Sequence, residues 1–329
     1  MIEAHQLTKQ FGTFQAVRGI DLTIEPGELL ALLGPNGAGK TTNVRMLGAI
    51  LKPSSGYARI CGHDVVAEAQ KVRGMVGLLT EYPGLYNRML AVEYLDFFGS
   101  LLGLDRATRA RRAEALLKQF GLWEARERRL DGYSKGMKQK IALVRALIHD
   151  PPVLFLDEPT TAMDPQSART VRNAIGELRA ADRSILLTTH NLAEAEILAD
   201  RIAIIRGGKI IAQGTIDQLT RQLLGEPIWE LRLAAPARPQ AALAALDDLV
   251  RIEEIGHDSL RYRCPDPQHL NPAIIGRLSE RGLPLMAISQ VSRTLEDVYL
   301  KIVSEDEGEG NRTLLPQAEA LAEAEVVTR

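Results

Sequence analysis

A glycine-rich turn directly after a short apolar run is the feature that most constrains how this chain can fold. The apolar run covers residues 28–33, and the turn reads Gly34-Pro35-Asn36-Gly37-Ala38-Gly39-Lys40-Thr41, which matches the P-loop pattern. A short, continuous apolar run favours a strand that is buried on both faces of a parallel sheet. The segment after the turn is compatible with a helix. A glycine-rich loop between such a strand and such a helix predicts a phosphate-binding site.

The residue types in this turn suit the chemistry of a bound nucleotide. Glycines at 34, 37 and 39 allow several backbone N–H groups to converge on phosphate oxygens without obstruction by a Cβ. A helix that begins at Lys40 adds the positive end of its dipole, and the Lys40 ammonium can reach the β and γ phosphates. Thr41 is placed to bind magnesium, and Thr42 offers a hydroxyl near the α-phosphate. The predicted nucleotide-binding residues are Gly34, Pro35, Asn36, Gly37, Ala38, Gly39, Lys40, Thr41 and Thr42.

Two adjacent carboxylates, Asp157 and Glu158, follow a second buried run at Val153–Leu156. Ligand sites of α/β proteins form at the carboxyl ends of parallel strands, which is where this pair would lie. We expect Asp157 to hold magnesium, through water, and Glu158 to orient or deprotonate the attacking water, because phosphoryl transfer needs in-line positioning and charge neutralisation. The alternative is a pair of solvated charges at a strand end, and the P-loop upstream favours the catalytic interpretation.

The pattern along the chain predicts an α/β fold with a helical insertion. A third buried run, Ser184–Thr189, is again followed by a polar turn and a helical pattern. Residues 90–149 show helical spacing and no strand pattern, so we expect a helical subdomain at about 86–150. This segment carries the most basic stretch of the chain, which is either a solvated helix face or a contact surface for a partner or lipid headgroups. Its arginines are Arg106, Arg109, Arg111, Arg112, Arg126, Arg128 and Arg129.

The pattern changes after the predicted hairpin turn at 206–209 and its strand at 210–212, and we place a domain boundary near Gly225. The following order is typical of a split βαβ, ferredoxin-like α+β domain at 225–303. The expected elements are strand 228–233, helix 238–246, strands 249–255 and 259–263, helix 267–281, strand 284–290 and a final helix around 295–300. Residues 304–329 are expected to form a flexible acidic tail with a marginal helix at 317–325.

Composition and charge give no indication of a nucleic-acid-binding, disulfide-linked or membrane-spanning protein. A chain of 329 residues is longer than one usual domain, and a net charge of -2 creates no overall field that would attract nucleic acid or an anionic membrane. Cys61 and Cys264 lie far apart and outside any paired spacing, which indicates reduced thiols. Neither a secretory leader nor an apolar stretch of membrane-spanning length is evident. If the protein serves a membrane, we expect another chain to span it.

The segment Tyr133-Ser134-Lys135-Gly136-Met137-Lys138-Gln139-Lys140 resembles the signature of ABC-transporter nucleotide-binding domains. The resemblance covers residues 1 to about 224. It implies that the nucleotide is ATP, with Mg²⁺, and that two such domains form a homodimeric or heterodimeric sandwich. In this family the signature caps the γ-phosphate held by the opposite subunit, a role that the Ser134 hydroxyl, the Gly136 N–H and the helix dipole suit. Lys135 and Met137 replace the family's usual glycine and glutamine, a variant similar to the drug-efflux and ABC-2 exporter branch.

The same resemblance assigns roles to four further residues. Asp164 lies in the segment Ala162-Met163-Asp164, which resembles the loop that communicates across the dimer, and His190 resembles the histidine that contacts the γ-phosphate. Phe11 matches the aromatic residue that stacks on adenine, with an ordinary core or surface aromatic as the alternative. Glu81 stands where the family has a metal-binding glutamine; its carboxylate either takes part in magnesium binding or is a solvated loop charge.

The resemblance implies that the chain is the ATP-hydrolysing subunit of an ABC transporter, located in the cytoplasm on the inner face of the cell membrane and bound to a separate transmembrane permease. Residues 295–299 resemble part of the accessory segment of drug-resistance members, which points to an exporter. A non-transport ABC ATPase that acts on nucleic acid or ribosomes is the alternative. Such proteins generally carry long coiled-coil insertions or two fused cassettes, whereas this chain shows one P-loop and no sustained heptad run. No nucleic-acid partner is therefore expected. The C-terminal domain either binds a small regulatory ligand or contributes packing to the dimer.

Overall fold

The computed structural model describes residues 1–161, 163–178, 182–234 and 239–308, the last six of these by their backbone only. The chain divides into two compact units, Met1–Gln218 and Leu219–Arg329. This division falls a few residues before the boundary expected after residue 224. Among the helices of the described segments, none combines the length and apolar character needed to cross a bilayer.

The first unit is built on strands from both ends of its sequence. In chain order these strands are β1 (Ile2–Phe11), β2 (Phe14–Ile24), β3 (Leu29–Leu33), β4 (Ser55–Ile60), β5 (His63–Asp64), β6 (Val76–Leu79), β7 (Val153–Asp157), β8 (Ser184–Thr189), β9 (Arg201–Arg206) and β10 (Lys209–Gly214). The helices are α1 (Lys40–Leu47), α2 (Ala69–Met75), α3 (Ala91–Leu101), α4 (Arg106–Gln119), α5 (Lys135–Leu147), α6 (Pro165–Leu178), α7 (Leu192–Leu198) and α8 (Ile216–Leu224), the last of which crosses the division between the units.

A six-stranded sheet in the order β10-β9-β3-β8-β7-β6 forms the centre of this unit. Its strands pair in parallel, except for the β9–β10 hairpin, which is antiparallel. Every residue of β3, β7 and β8 is buried, because apolar groups cover both faces of a central parallel sheet. Helical elements α3, α4 and α5 account for most of residues 90–149, as the sequence predicts. The parallel register places the carboxyl ends of β3, β7 and β8 at one edge.

A second, antiparallel sheet has the order β2-β1-β4-β5. One face of β1 and β2 is buried against a cluster that includes Leu7, Val17 and Ile20. The period-two pattern does not predict β1, because register shifts between Ala4 and Leu7 break the alternation of its buried residues.

The second unit contains, in chain order, β11 (Ile228–Leu233), α9 (Pro239–Leu246), β12 (Arg251–Ile255), β13 (Ser259–Arg263), α10 (Pro267–Glu280), β14 (Leu285–Gln290) and α11 (Leu295–Gly308). Its strands form an antiparallel sheet in the order β12-β13-β11-β14. Leu231, Leu260 and Tyr262 face a core to which α9 contributes Leu246 and α10 contributes Leu278. The element order agrees with the sequence prediction, with shifts of one or two residues at some ends.

The C-terminal end differs from its prediction. The expected tail begins at residue 304, but the backbone of α11 is helical through Gly308. The rest of the predicted tail, including the marginal helix at 317–325, lies outside the described residues.

Candidate functional site

The P-loop connects β3 to α1 and depends on three glycines for different reasons. A Cβ on Gly34 would lie 2.2 Å from the carbonyl oxygen of Ile205, and a Cβ on Gly39 would lie 2.6 Å from that of Ala16. Gly39 and Gly37 also have positive φ angles, 102° and 79°, whereas the space around Gly37 is open. Two glycines are therefore required by close backbone approach, and Gly37 by its backbone conformation.

The Lys40 side chain curls back over this loop. Lys40 Nζ donates hydrogen bonds to the carbonyl oxygens of Gly34, at 2.7 Å, and Pro35, at 3.1 Å. Its side chain is 6% exposed, so it places a buried positive charge beside the backbone N–H groups at the start of α1. Thr41 and Thr42 follow in the first turn of the helix and are half-buried. Pro35 and Asn36 are exposed, and Ala38 is buried.

The acidic pair lies at the carboxyl end of β7. Asp157 is buried and accepts a hydrogen bond from the Thr188 hydroxyl of β8. The next residue, Glu158, leaves the strand with a φ of 51°, in the left-handed region that non-glycine residues seldom occupy. Its N–H donates to the Thr188 carbonyl oxygen at 3.1 Å. This turn points the two carboxylates in different directions from adjacent positions.

Glu158 connects the P-loop with His190. Glu158 Oε1 lies 3.1 Å from Lys40 Nζ, as an ion pair without a hydrogen bond, while the Lys40 ammonium donates to the carbonyl oxygens of Gly34 and Pro35. Glu158 Oε2 lies 2.8 Å from His190 Nδ1 and also accepts the Thr161 hydroxyl at 2.9 Å. The Glu158 side chain is 8% exposed, whereas His190 is half exposed. The structure thus brings together three predicted residues that come from three separate strand ends.

The signature residues lie at the amino end of α5 and next to α6. Ser134 is exposed and caps α5 by accepting a hydrogen bond from the Met137 N–H at 3.3 Å. A Cβ on Gly136 would lie 2.9 Å from Ser167 Oγ, so the signature packs closely against the start of α6. Hydrogen bonding to the Ser167 side chain, together with the hydrogen bond that Asp164 accepts from the Ser167 N–H, holds the pKa of this aspartate below its usual value. These contacts of Ser134, Gly136 and Asp164 are made with residues of α5 and α6 of the same chain.

Phe11 and Glu81 lie on the surface of the first unit. Phe11, at the end of β1, is 47% exposed, and Lys9 Nζ lies 5.1 Å from the centre of its ring. The ring is therefore not part of the core, and stacking on adenine and an ordinary surface aromatic both remain open for this residue. Glu81 lies in the loop after β6 and is half-buried, and the side chain of Thr80 shapes this loop by donating to the Tyr82 carbonyl oxygen at 2.9 Å.

The chain matches known proteins along most of its length. Residues 17–161 match the family model for ABC transporters. The daunorubicin/doxorubicin resistance ATP-binding protein DrrA of Streptomyces peucetius is 36% identical over 304 residues, which cover 92% of this chain and 92% of that protein. This chain belongs to the ATP-binding proteins of ABC transporters. A Nod factor export ATP-binding protein I from Burkholderia lata is 34% identical over 93% of this chain and 97% of that protein. A solved ATP-binding subunit of an ABC transporter aligns with a TM-score of 0.64 and 31% identity, over 68% of this chain and 94% of the other.

The comparisons confirm the prediction of an ABC-type ATPase subunit related to exporters. The chain is an ATP-binding and ATP-hydrolysing subunit with a P-loop fold, and its relatives include drug-resistance and Nod-factor-export proteins. The comparisons favour this function over that of an ATPase that acts on nucleic acid or ribosomes. Proteins of this kind form dimers and pair with transmembrane permeases.

Glu194 is a residue of this ABC ATPase that sequence reasoning missed. It is 1% exposed and accepts hydrogen bonds from the hydroxyls of Thr160, at 2.7 Å, and Thr189, at 2.6 Å. Burial raises the pKa of its carboxyl, the two threonines oppose the rise, and the nearby charge of Glu158 adds to it. The spacing Asn191-x-x-Glu194 was the available signal, but it is also the pattern of a helix capping box.

Arg145 of this ABC ATPase was missed as well. From α5, its guanidinium donates to the Pro83 carbonyl oxygen at 2.9 Å and to the Tyr94 hydroxyl at 2.8 Å. The same group lies 5.2 Å from the centre of the Phe98 ring. Arg145 therefore ties the helix that carries the signature to the loop that carries Glu81. No local pattern predicts these contacts, because their partners are 62 and 51 residues away in sequence.

Proposed function

We propose that this ABC ATPase drives an exporter, by hydrolysing magnesium-ATP between two ATPase subunits that dock on a separate transmembrane permease. The observation that carries the proposal is the position of Glu158, with Lys40 of the P-loop on one side and His190 on the other. A buried carboxylate between a phosphate-binding lysine and a histidine is suited to in-line attack by water on a terminal phosphate.

The residues around the P-loop fit a magnesium-bound nucleotide. The glycine conformations, the amino end of α1 and the Lys40 ammonium together make a site for phosphate groups. Thr41 and Asp157 would hold Mg²⁺ together with phosphate oxygens, and Glu81 would add a carboxylate. Bound magnesium would neutralise charge on the phosphates. Among the described residues, no cluster of three or more His, Cys, Asp and Glu side chains has the arrangement of a metal site. Magnesium sites at phosphates commonly use one or two carboxylates.

We assign the proton chemistry to Glu158 and His190. Glu158 would accept a proton from the attacking water or orient it, and His190 would hold Glu158 Oε2 and contact the terminal phosphate. Lys40 would leave Glu158 Oε1 when the phosphates arrive, and its charge would then stabilise the transferring group. The exposed Phe11 ring would stack on the adenine.

A second subunit would complete each site. Ser134 is exposed at the amino end of a 13-residue helix, so its hydroxyl, the Gly136 N–H and the helix dipole are available to a phosphate on another molecule. Asp164, which is exposed at the start of α6 and packs beside Ser167, would transmit closure between the two subunits. The dimer is either a homodimer or a heterodimer.

An aromatic surface at the start of the helical subdomain, at residues 82–98, supports docking to a permease. Tyr86 stacks against Phe98 with ring centres 5.8 Å apart, Phe97 makes edge contacts with both rings, and Tyr82 is 82% exposed nearby in sequence. Exposed aromatic groups of this kind favour protein interfaces. The Arg145 contacts would link movement at this surface to the signature helix. In this arrangement the protein lies in the cytoplasm, on the inner face of the membrane.

We propose a ferredoxin-like fold for the second unit, supported by its β-α-β-β-α-β order and by the strand order β12-β13-β11-β14. A buried apolar core that includes Leu231, Leu260 and Leu278 holds this unit together, and its role is either to contribute packing to the dimer or to bind a small regulatory ligand.

Two measurements test the proposed function. The purified chain should hydrolyse ATP in the presence of Mg²⁺, and Glu158→Gln should lower kcat by about 100-fold or more, as expected for loss of a general base. Purification from its native cells should recover a membrane-spanning protein in stoichiometric amount. Hydrolysis by Glu158→Gln at the wild-type rate would remove Glu158 from its role. Recovery of stoichiometric RNA or DNA, without a membrane protein, would support the alternative function.

A further inference from the structure

Glu194 is a buried carboxylate outside the proposed set of catalytic residues. It lies in the first turn of α7 and is 1% exposed. Burying a carboxylate is costly unless hydrogen bonds compensate for the lost water. Each of its oxygens accepts one hydroxyl, from Thr160 at 2.7 Å and from Thr189 at 2.6 Å. These bonds join two segments that are 29 positions apart in sequence.

The local role expected for a glutamate at this position is not the one it performs. In a capping box, its side chain would accept the Asn191 N–H. Here the Asn191 N–H donates to Thr189 Oγ1 at 3.0 Å, and Asn191 Oδ1 accepts the Glu194 N–H at 3.2 Å. The Glu194 carboxylate is directed away from the helix end and towards the two threonines. A helix cap therefore does not account for this residue.

The two threonines flank the residues proposed to perform the chemistry. Thr160 follows Glu158 by two positions, and Thr189 immediately precedes His190. Thr160 lies three residues beyond the end of β7, and Thr189 is the last residue of β8; these two strands pair in parallel with Asp157 opposite Thr188. Beyond this last pair β7 and β8 are no longer paired with each other, and the Glu194 carboxylate joins the segment after β7 to the end of β8. The Glu158–His190 contact of 2.8 Å lies in those same segments.

The position of Glu194 also has an electrostatic cost. Its negative charge lies close enough to Glu158 to disfavour ionisation, in addition to the cost of burial. A neutral residue would avoid this cost, but an apolar side chain accepts no hydrogen bond, and a threonine has one oxygen on a short side chain where Glu194 offers two separate oxygens, one to each threonine. The two hydrogen bonds to Thr160 and Thr189 offset this electrostatic cost.

We propose that Glu194 is a positioning residue for ATP hydrolysis, which holds Thr160 and Thr189 at a fixed separation and thereby sets the distance between Glu158 and His190. This inference rests on the proposed roles of Glu158 and His190. It assigns no contact with ATP to Glu194, so nucleotide affinity should be independent of the residue. Small displacements of catalytic groups reduce the rate strongly, so the effect should be on kcat.

The test compares Glu194→Met with Glu194→Gln. Methionine has a similar length and accepts neither hydroxyl, so kcat should fall by about 10-fold or more, while the ATP dissociation constant, measured without turnover, stays within about 3-fold. Glutamine keeps a polar atom opposite each threonine and should restore kcat to within about 3-fold of wild type. Glu177→Gln, which removes an exposed carboxylate from α6, is the matched control and should leave both constants unchanged.

A second variant keeps the inference testable if Glu194→Met does not fold. Thr160→Val has nearly the same shape, removes one of the two bonds and should lower kcat without weakening ATP binding. Where Glu194→Met does fold, its combination with Thr160→Val should lower kcat by less than the product of the two single effects, because both changes act on one contact.

Three results separate the possible failures. Wild-type kcat in both Glu194→Met and Thr160→Val would overturn the inference. A loss of ATP affinity that parallels the loss of kcat, without restoration by glutamine, would also overturn it and indicate a purely structural role. Full activity in Glu158→Gln would instead contradict the proposed function itself.

Discussion

Lys40 Nζ and Glu158 Oε1 lie 3.1 Å apart, and both side chains are less than one-tenth exposed. The lysine that is suited to binding phosphates is thus paired with the carboxylate that is suited to activating water. Incoming phosphates would compete with Glu158 for the Lys40 ammonium. Nucleotide binding should therefore release Glu158 at the same time as it engages Lys40.

The first prediction concerns the stability of the nucleotide-free protein. Lys40→Met removes one partner of a buried ion pair and should lower the free energy of unfolding by about 3 kcal/mol, because Glu158 loses its compensating charge. Lys40→Met combined with Glu158→Gln should recover part of this loss, since the uncompensated charge is gone. Denaturant unfolding of the two single variants and the double variant measures the coupling. A double variant no more stable than Lys40→Met would show that the pair contributes nothing.

The second prediction separates the two reasons why the P-loop requires glycine, which are close backbone approach and a positive φ angle. Gly39→Ala places a Cβ 2.6 Å from the Ala16 carbonyl oxygen at a φ of 102°, and should abolish nucleotide binding. Gly37→Ala meets open space and should cost only the left-handed conformation, about 1 kcal/mol. Titration with a fluorescent ATP analogue compares the two. Equal affinities in both variants would contradict the close-approach argument.

The third prediction concerns Glu81 at the position where the family has a glutamine. If its carboxylate takes part in magnesium binding, Glu81→Gln should raise the Mg²⁺ concentration for half-maximal hydrolysis by about 3-fold or more, because a neutral amide is a weaker ligand for a hard cation. The KM for ATP at saturating Mg²⁺ should change less. Glu93→Gln, which changes a carboxylate in α3, is the control. An unchanged magnesium requirement would make Glu81 a solvated loop charge.

The fourth prediction concerns pH and the attachment of the helical segment to the central sheet. Asp150 pairs with Arg112 of α4 at 3.1 Å and with Arg183 next to β8, and hydrogen bonding to Arg112 is the main cause that lowers its pKa. A lowered pKa in the folded state stabilises the protein above the ordinary value of 3.8, and this stabilisation is lost as pH falls through the folded-state pKa.

Asp150→Asn should therefore lower the free energy of unfolding at pH 7 by about 0.5–1 kcal/mol, a modest value because the carboxylate is half exposed. Asparagine tolerates the positive φ of this position, so the backbone is not strained by the change. The difference from wild type should shrink towards pH 3. Asp131→Asn, an exposed carboxylate, is the control. A difference that does not depend on pH would argue against the ion pairs.

The parts of the site that the sequence predicts are those encoded by adjacent residues. The P-loop, Asp157 with Glu158, and His190 all follow directly from buried apolar runs, and parallel pairing brings strand ends to one edge whatever the rest of the fold does. The run at Ser184–Thr189 coincides with β8.

The parts that the sequence does not predict depend on contacts between distant segments. Glu194 fits a helix-cap pattern, and only the three-dimensional position of Thr160 reveals its other use. Arg145 belongs to the amphipathic pattern of α5, which carries no information about the loop that it binds. Sheet β2-β1-β4-β5 was not predicted either, because bulges interrupt its alternation.

The most direct test of the account is whether magnesium-ATP brings two copies of the chain together when hydrolysis is blocked. We expect Glu158→Gln to sediment as a monomer with ADP and at twice that mass with magnesium-ATP, because Ser134 and Gly136 of each copy complete the site of the other. A Glu158→Gln variant that binds magnesium-ATP and remains monomeric at all concentrations tested by analytical ultracentrifugation, both alone and mixed with any second ATPase subunit that co-purifies with it, would contradict a dimer with shared sites.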